Sequence, residues 1–434
     1  MSPAGVAKRL GSRSAVGAAL TLWLAAIGPD LAWAQDGAAL KDRLSGLGVV
    51  PSLQYQGAGV ADAAGGARRG GTYIGLLQLQ LLFEGGPLIG VPGLSVDVSG
   101  FDIHGGQPSG FVGDAQGVSN LAGPPGFAPY EAWLQYNTSD RRLSALAGLY
   151  DLSTEFDVLQ SASVLLNGSF GTGPEFAFSG IGGPSIYPAT AVGGRLAFRP
   201  APSVLVQAGV FDGAPLRRPD GGWGAFESKD GLLLVSELAY FRDLRPEPAS
   251  GESMAPIGRG RVPALYDTKI ALGGWYYTSR FDDLSAVDAN GQPVRRRGSH
   301  GAYLIAEQML ITPTEDAPAT LAGFVQLGIA DPRVNRFGSY VGAGLVATDL
   351  VRLRMGDQLA FGVAMARNGA HYMNAQRDQD IPTRRSEIAL ELSYLAPVTG
   401  WLKLQPDVQY VIHPNTDPAL GNALVFQLQL TVQF

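Results

Sequence analysis

A chain of 434 residues is long enough for two soluble domains, but only 16% of this one is charged, and glycine (59) and proline (29) are plentiful. The formal net charge of −6 leaves no basic excess to hold nucleic acid, and the absence of cysteine excludes disulfides, thiol catalysis and cysteine-ligated metal. No linker, composition break or short-period repeat divides the sequence.

At the front, Lys8, Arg9 and Arg13 precede an apolar run over residues 15–27, and Leu31-Ala32-Trp33-Ala34 follows. A basic segment, an apolar stretch and an Ala-x-Ala ending predict a secretory signal over residues 1–34, cut after Ala34. The run is too short for a membrane helix, and no later run is long enough. Residues 35–49 are expected to carry a short periplasmic helix (38–46, AALKDRLSG), and residues 50–434 the remaining domain.

From there, segments of about ten residues with alternating polarity recur between Gly, Pro, Asp and Asn. Sixteen are predicted, starting near Pro51, Thr72, Leu94, Pro129, Arg142, Thr190, Ser203, Gly231, Ala264, Ser299, Ala319, Ser339, Asp357, Arg384, Trp401 and Asn422. Tilted strands of about nine to eleven residues match a bilayer's hydrocarbon thickness. The fold class is therefore all-β, a transmembrane antiparallel up-and-down β-barrel of about 16 strands. With both termini periplasmic, odd connections are outer loops. Connections 105–128, 151–189, 214–230, 280–298 and 369–383 are long, whereas 139–141, 201–202 and 396–400 are tight. Connection 242–263 is long where a turn is expected, and 331–337 is short where a loop is expected.

Strand phase separates lipid face from lumen face, because side chains alternate with period two. In the last strand Phe426, Leu428, Leu430, Val432 and Phe434 share one face, opposite Gln427, Gln429, Thr431 and Gln433. The same reading turns Leu77, Leu79, Leu81 and Phe83 toward lipid. It assigns Asp97, Glu131, Arg195, Glu237, Lys269, Arg385, Glu387, Glu391, Lys403 and Asp407 to the lumen wall. A slip of one residue would drive a lysine into hydrocarbon, at about 2–4 kcal/mol near the midplane.

A barrel of this size leaves an aqueous channel unless something folds into it. The longest outer connection, 151–189, is expected to fold inward as a constriction, with a helical turn among Phe156, Leu159, Val164 and Leu165. Its candidate solute contacts are Asp151, Glu155, Phe156, Asp157, Phe170, Glu175, Phe176, Phe178 and Tyr187. Aromatic rings stack on the C–H face of a pyranose, and carboxylates accept from its hydroxyls; the same rings would equally serve to pin the loop to the wall.

The stretch 387–414 (EIALELSYLAPVTGWLKLQPDVQYVIHP) resembles the carbohydrate-selective porin family of Gram-negative outer membranes, the OprB type. The likeness recurs at 114–121 (DAQGVSNL), 130–134 (YEAWL), 207–213 (QAGVFDG) and 301–330, spanning nearly all of the chain beyond the signal. It implies passive uptake of glucose-like sugars or polyols through a sixteen-stranded outer-membrane pore, with no cofactor. Partners would be the transported sugars and outer-membrane lipid, including lipopolysaccharide; monomer and homotrimer both stay open. A general porin, a plugged structural barrel and a rim hydrolase remain alternatives.

Catalytic and metal motifs are missing. His104, His300, His371 and His413 fall at or near extracellular strand ends or in loops, with no H-x-x-x-H or H-E-x-x-H spacing. Arg68-Arg69, Arg217-Arg218 and the triplet Arg295, Arg296, Arg297 fall in predicted outer loops, where a guanidinium suits a lipid phosphate.

Overall fold

The computed structural model describes residues 40–217, 223–243, 267–312, 319–350 and 355–433. The predicted signal segment, Arg218, most of connection 242–263 and Phe434 lie outside the described residues. Sixteen strands follow in chain order: β1 (Val49–Gly66), β2 (Gly70–Glu84), β3 (Leu94–Gly105), β4 (Gly126–Asn137), β5 (Leu143–Tyr150), β6 (Ala191–Ala201), β7 (Val204–Asp212) and β8 (Leu232–Arg242). The second half comprises β9 (Thr268–Val287), β10 (Pro293–Ile311), β11 (Thr320–Ala330), β12 (Phe337–Thr348), β13 (Gln358–Asn368), β14 (Ser386–Pro397), β15 (Leu402–Ile412) and β16 (Gly421–Gln433). Each strand pairs antiparallel with its sequence neighbours, and β1 pairs with β16 from Gln54↔Gln433 to Gly66↔Gly421, so the sheet closes. Closure satisfies every ladder without leaving an edge in lipid. Residues 40–46 are helical and precede β1, as expected.

The alternation read from sequence is the alternation of burial. Along β8, Leu233, Val235, Glu237, Ala239 and Phe241 are buried, while Leu232, Leu234, Leu238 and Tyr240 are exposed. Large exposed apolar side chains recur on the outer face, among them Leu79, Leu196, Leu272, Ile329 and Leu428. That is the order expected when hydrocarbon covers one face and the interior covers the other.

One expectation needs correction. The connection 280–298 is not a loop: β9 runs on to Val287 and β10 begins at Pro293, so Arg295, Arg296 and Arg297 belong to a strand. The hairpin extends past the lipid-facing stretch, with Asp283 buried against His371 of the helix Ala370–Asp378, and its polar residues therefore lack the apolar alternation that marks a membrane strand. Arg295 pairs with Asp282 at 3.1 Å and Arg296 with Asp283 at 2.8 Å across it. The interior also carries two apolar clusters. One apolar cluster runs along the inner wall of β4–β14 and includes Trp133, Phe211, Trp275, Tyr303, Phe324 and Tyr340. A second covers β1–β4, β15 and β16, including Val60, Ile74, Phe101, Val411 and Val425. Both exist because loops fold into the barrel and bury them.

Candidate functional site

The connection 151–189 enters the lumen, as expected, in short helical turns: Leu152–Thr154, Ser161–Val164, Gly168–Phe170 and Pro174–Ala177. Apolar side chains drive it onto the wall. Phe176 stacks on Trp275 at 4.2 Å between ring centroids, and Phe170 meets Phe324 edge-on at 6.0 Å. Phe156 is wholly buried in the same cluster. Inward glycines make room: a Cβ on Gly328 would collide with Glu175, and one on Gly362 with Phe170 and Leu165. Three of the five loop aromatics thus hold the loop rather than face the channel. Tyr187, half-buried, donates to Leu121 O at 2.8 Å. Phe178 alone among them is well exposed, at 57%, with its ring edge-on to Phe337.

Wall glutamates supply the polar half of the anchoring. Burying a loop backbone requires acceptors for its N–H groups, and an ionised carboxylate is the strongest on hand. Glu131 accepts from Asp151 N at 3.2 Å, Glu237 from Asp157 N at 3.0 Å, and Glu307 from Ser161 N at 2.7 Å. Glu391 takes Leu166 N and Asn167 N. Lys269 donates to Val158 O at 2.6 Å, Tyr340 to Ser169 O and Gln405 to Val164 O. Asp151 accepts from Tyr130 and from Ser153 N, while Arg195 grips Glu155 through two guanidinium nitrogens. Of the ten residues read as lumen wall, Glu131, Arg195, Glu237, Lys269 and Glu391 contact this loop.

Connection 106–125 is a second inserted loop that the sequence reading passed over, although it contains the 114–121 segment. Glu387 accepts from Ala115 N and Gln116 N, both at 2.8–2.9 Å, and from Asn415 N at 2.5 Å. The two loops pair through Asn120 N to Leu166 O and Gly168 N to Gly117 O, each at 2.7 Å. Gln409 ties both, accepting from Asn167 and donating to Val118 O. Glu307 was missed as well; its signal was available, an acid in phase with inward Tyr303 and Ile305. Asp97 accepts from Gln80 at 2.6 Å, Asp407 from Gln409 at 3.0 Å, and Arg385 and Lys403 stand exposed near opposite strand ends.

Burial shapes the charge inside. Asp157, within the loop, accepts from Gln326, and burial raises its pKa to about 7, with the Glu237 charge adding to the rise. Glu175 is pushed up to about 8 by burial and then by Asp157, and neither of its oxygens has a hydrogen-bond partner among the described residues. On β1, β2 and β16 the inward positions that the loops leave half-exposed include the neutral amides Gln54, Gln56, Gln78, Gln80 and Gln433.

Ser285, His371 and Asp283 come together at the rim, yet Ser285 Oγ (3.0 Å) and Asp283 (2.8 Å) share one ring nitrogen, Nδ1. A nucleophile relay needs the serine and the acid on opposite nitrogens. No group of three His, Asp or Glu side chains suited to a metal occurs among the described residues.

The carbohydrate-selective porin family, OprB type, matches residues 68–434. Porin B of Pseudomonas aeruginosa is 27% identical over 263 residues, covering 55% of this chain and 54% of that protein, so the match spans about half the length of that relative. The high-pH structure of Pseudomonas putida OprB superposes with a TM-score of 0.78 at 20% identity, over 92% of this chain and 97% of that one. The outer-membrane channel DcaP of Acinetobacter baumannii gives 0.51 at 10% identity, over 89% and 97%. Fold and family thus point to a channel rather than an enzyme, in the outer membrane. With its match across most of the sequence, the chain belongs to the carbohydrate-selective porin family, OprB type.

Proposed function

We propose that the protein conducts uncharged sugars or polyols passively across the outer membrane, by diffusion through a constriction made of the two inserted loops. The observation that carries this reading is the neutral lining left beside the loops. Seven wall charges, Glu131, Arg195, Glu237, Lys269, Glu307, Glu387 and Glu391, hold the loops, so amides make up much of the lining left beside them on β1, β2 and β16. Amides on β1, β2 and β16 both donate to and accept from hydroxyls, contacts favourable enough to admit a sugar and weak enough to release it. No step of this passage makes or breaks a covalent bond. The segment 1–34 would direct export.

Planar-bilayer conductance with sugars titrated from one side tests it. Concentration-dependent block by a hexose or disaccharide is expected. Equal flux of sugars, amino acids and salts would instead make the protein a general porin, and negligible current a plugged barrel. Phe178 is the aromatic contact we assign at the mouth. Phe178→Ala is expected to weaken sugar block by about two- to tenfold, the size of a lost ring contact, while ion conductance stays within about twofold. Unchanged block would remove Phe178 from the solute path.

A further inference from the structure

Two acids meet halfway along the inner wall, where β14, β15 and β16 run side by side. Asp407 on β15 faces Gln427 on β16 in the register, and Gln429 is the next inward position along β16, opposite Gln405. Glu391 on β14 pairs with Gln409, which makes it the diagonal neighbour of Asp407 on the same face. The two carboxyl groups interact directly, and no Lys or Arg pairs with either among the described residues. Asp407 Oδ1 accepts from Gln409 at 3.0 Å, whereas Oδ2 has no hydrogen-bond partner among the described residues. Gln427 is only 3% exposed, yet neither atom of its amide has a partner there, nor has the Gln429 oxygen. An amide oxygen therefore stands open beside Asp407 whichever way the Gln427 amide is turned.

Two carboxyl groups that face each other away from water need a proton or a cation between them. A shared proton would serve the acids alone and leave the Gln427 and Gln429 oxygens open. A hard cation takes carboxylate and amide oxygens together. We propose that Glu391, Asp407, Gln427 and Gln429 bind a calcium ion beneath the junction of the two inserted loops. The two carboxylates match its double charge, and the amide oxygens complete the set. Oxygen donors alone select a hard cation over zinc or copper. Side chains drawn from three strands suit the larger, irregular shell of calcium better than the strict octahedron of magnesium. Glu391 also accepts from Leu166 N and Asn167 N of one loop, and Gln409, which donates to Asp407, donates to Val118 O of the other. The ion thus fastens both loops to the wall at one point, whichever solute passes beside them.

The full chain, purified in detergent and freed of lipopolysaccharide and metal by chelation, is dialysed against calcium or magnesium. Bound metal is counted by elemental analysis, and thermal unfolding is followed alongside. Calcium is expected at one equivalent per chain and to raise the unfolding midpoint, with magnesium weaker by about tenfold. Asp407→Asn and Gln427→Leu are expected to weaken calcium binding by about tenfold or more while the far-ultraviolet spectrum of the barrel is kept. No retained calcium at about 1 mM free ion, or equal retention by both variants, would overturn the proposal. So would an unfolding midpoint that calcium leaves unmoved while Asp407→Asn alters its dependence on pH, because the two acids would then share a proton.

Discussion

Glu175 sits in the barrel with neither carboxylate oxygen hydrogen-bonded among the described residues, near Asp157 and Tyr340, while Asp157 in turn lies near Glu237, Lys269 and Tyr303. Such a group persists by holding a proton. With its pKa raised to about 8, and that of Asp157 to about 7, the folded loop retains protons that an unfolded loop releases from about pH 4 upward. The stabilisation is fully present below about pH 4, falls as pH rises and is lost once both groups ionise above about pH 8. Current noise and hydrogen exchange in residues 157–177 are therefore expected to increase between pH 7 and 9, and Glu175→Gln is expected to flatten that dependence. A profile identical in the variant would mean that Glu175 does not set it.

At the scale of elements, the inserted loop is held twice, by aromatic packing and by glutamates from β4, β8, β10 and β14. Glu391→Gln keeps one acceptor where two loop N–H groups need one each, at about 1–3 kcal/mol for the amide left unsatisfied in the interior. Higher open-state noise and at least a twofold loss of sugar discrimination are expected in single-channel recordings; unaltered traces would assign the anchoring to the rings alone. The strands were legible because each carries a period-two record of lipid against interior, and β16 carries the plainest. What the sequence did not reveal was the partner of each inward charge. Glu237 and Glu391 read as wall groups facing solute, since phase reports a direction and not what lies there. Phe156, Phe170 and Phe176 read as candidate contacts for the same reason: a ring that stacks on sugar and one that stacks on Trp275 look alike in one dimension. The 106–125 loop left little trace, being short of aromatics and held mostly by its backbone.

For the whole molecule, outward phase is a statement about solvent. Leu272, exposed on the outer face of β9, is expected to tolerate isoleucine, whereas Leu272→Arg should cost about 2–4 kcal/mol if it lies near the midplane. Urea-driven unfolding from lipid vesicles measures this, and an unaffected midpoint would mean hydrocarbon does not cover that face. The inward neighbour Ala271, wholly buried, should instead respond to size, with Ala271→Leu destabilising by about 1–3 kcal/mol through overpacking.

The span of the inserted loop has a mechanical consequence. It leaves the wall at β5, reaches Glu391 on β14 and returns to β6, and β6 and β14 stand eight strands apart in a ring of sixteen. A hoop tied across its diameter cannot be squeezed oval without loading the tie. Lateral tension in the surrounding bilayer is thereby transmitted to the aperture itself, and severing the chain within 163–168 would leave a softer, rounder tube.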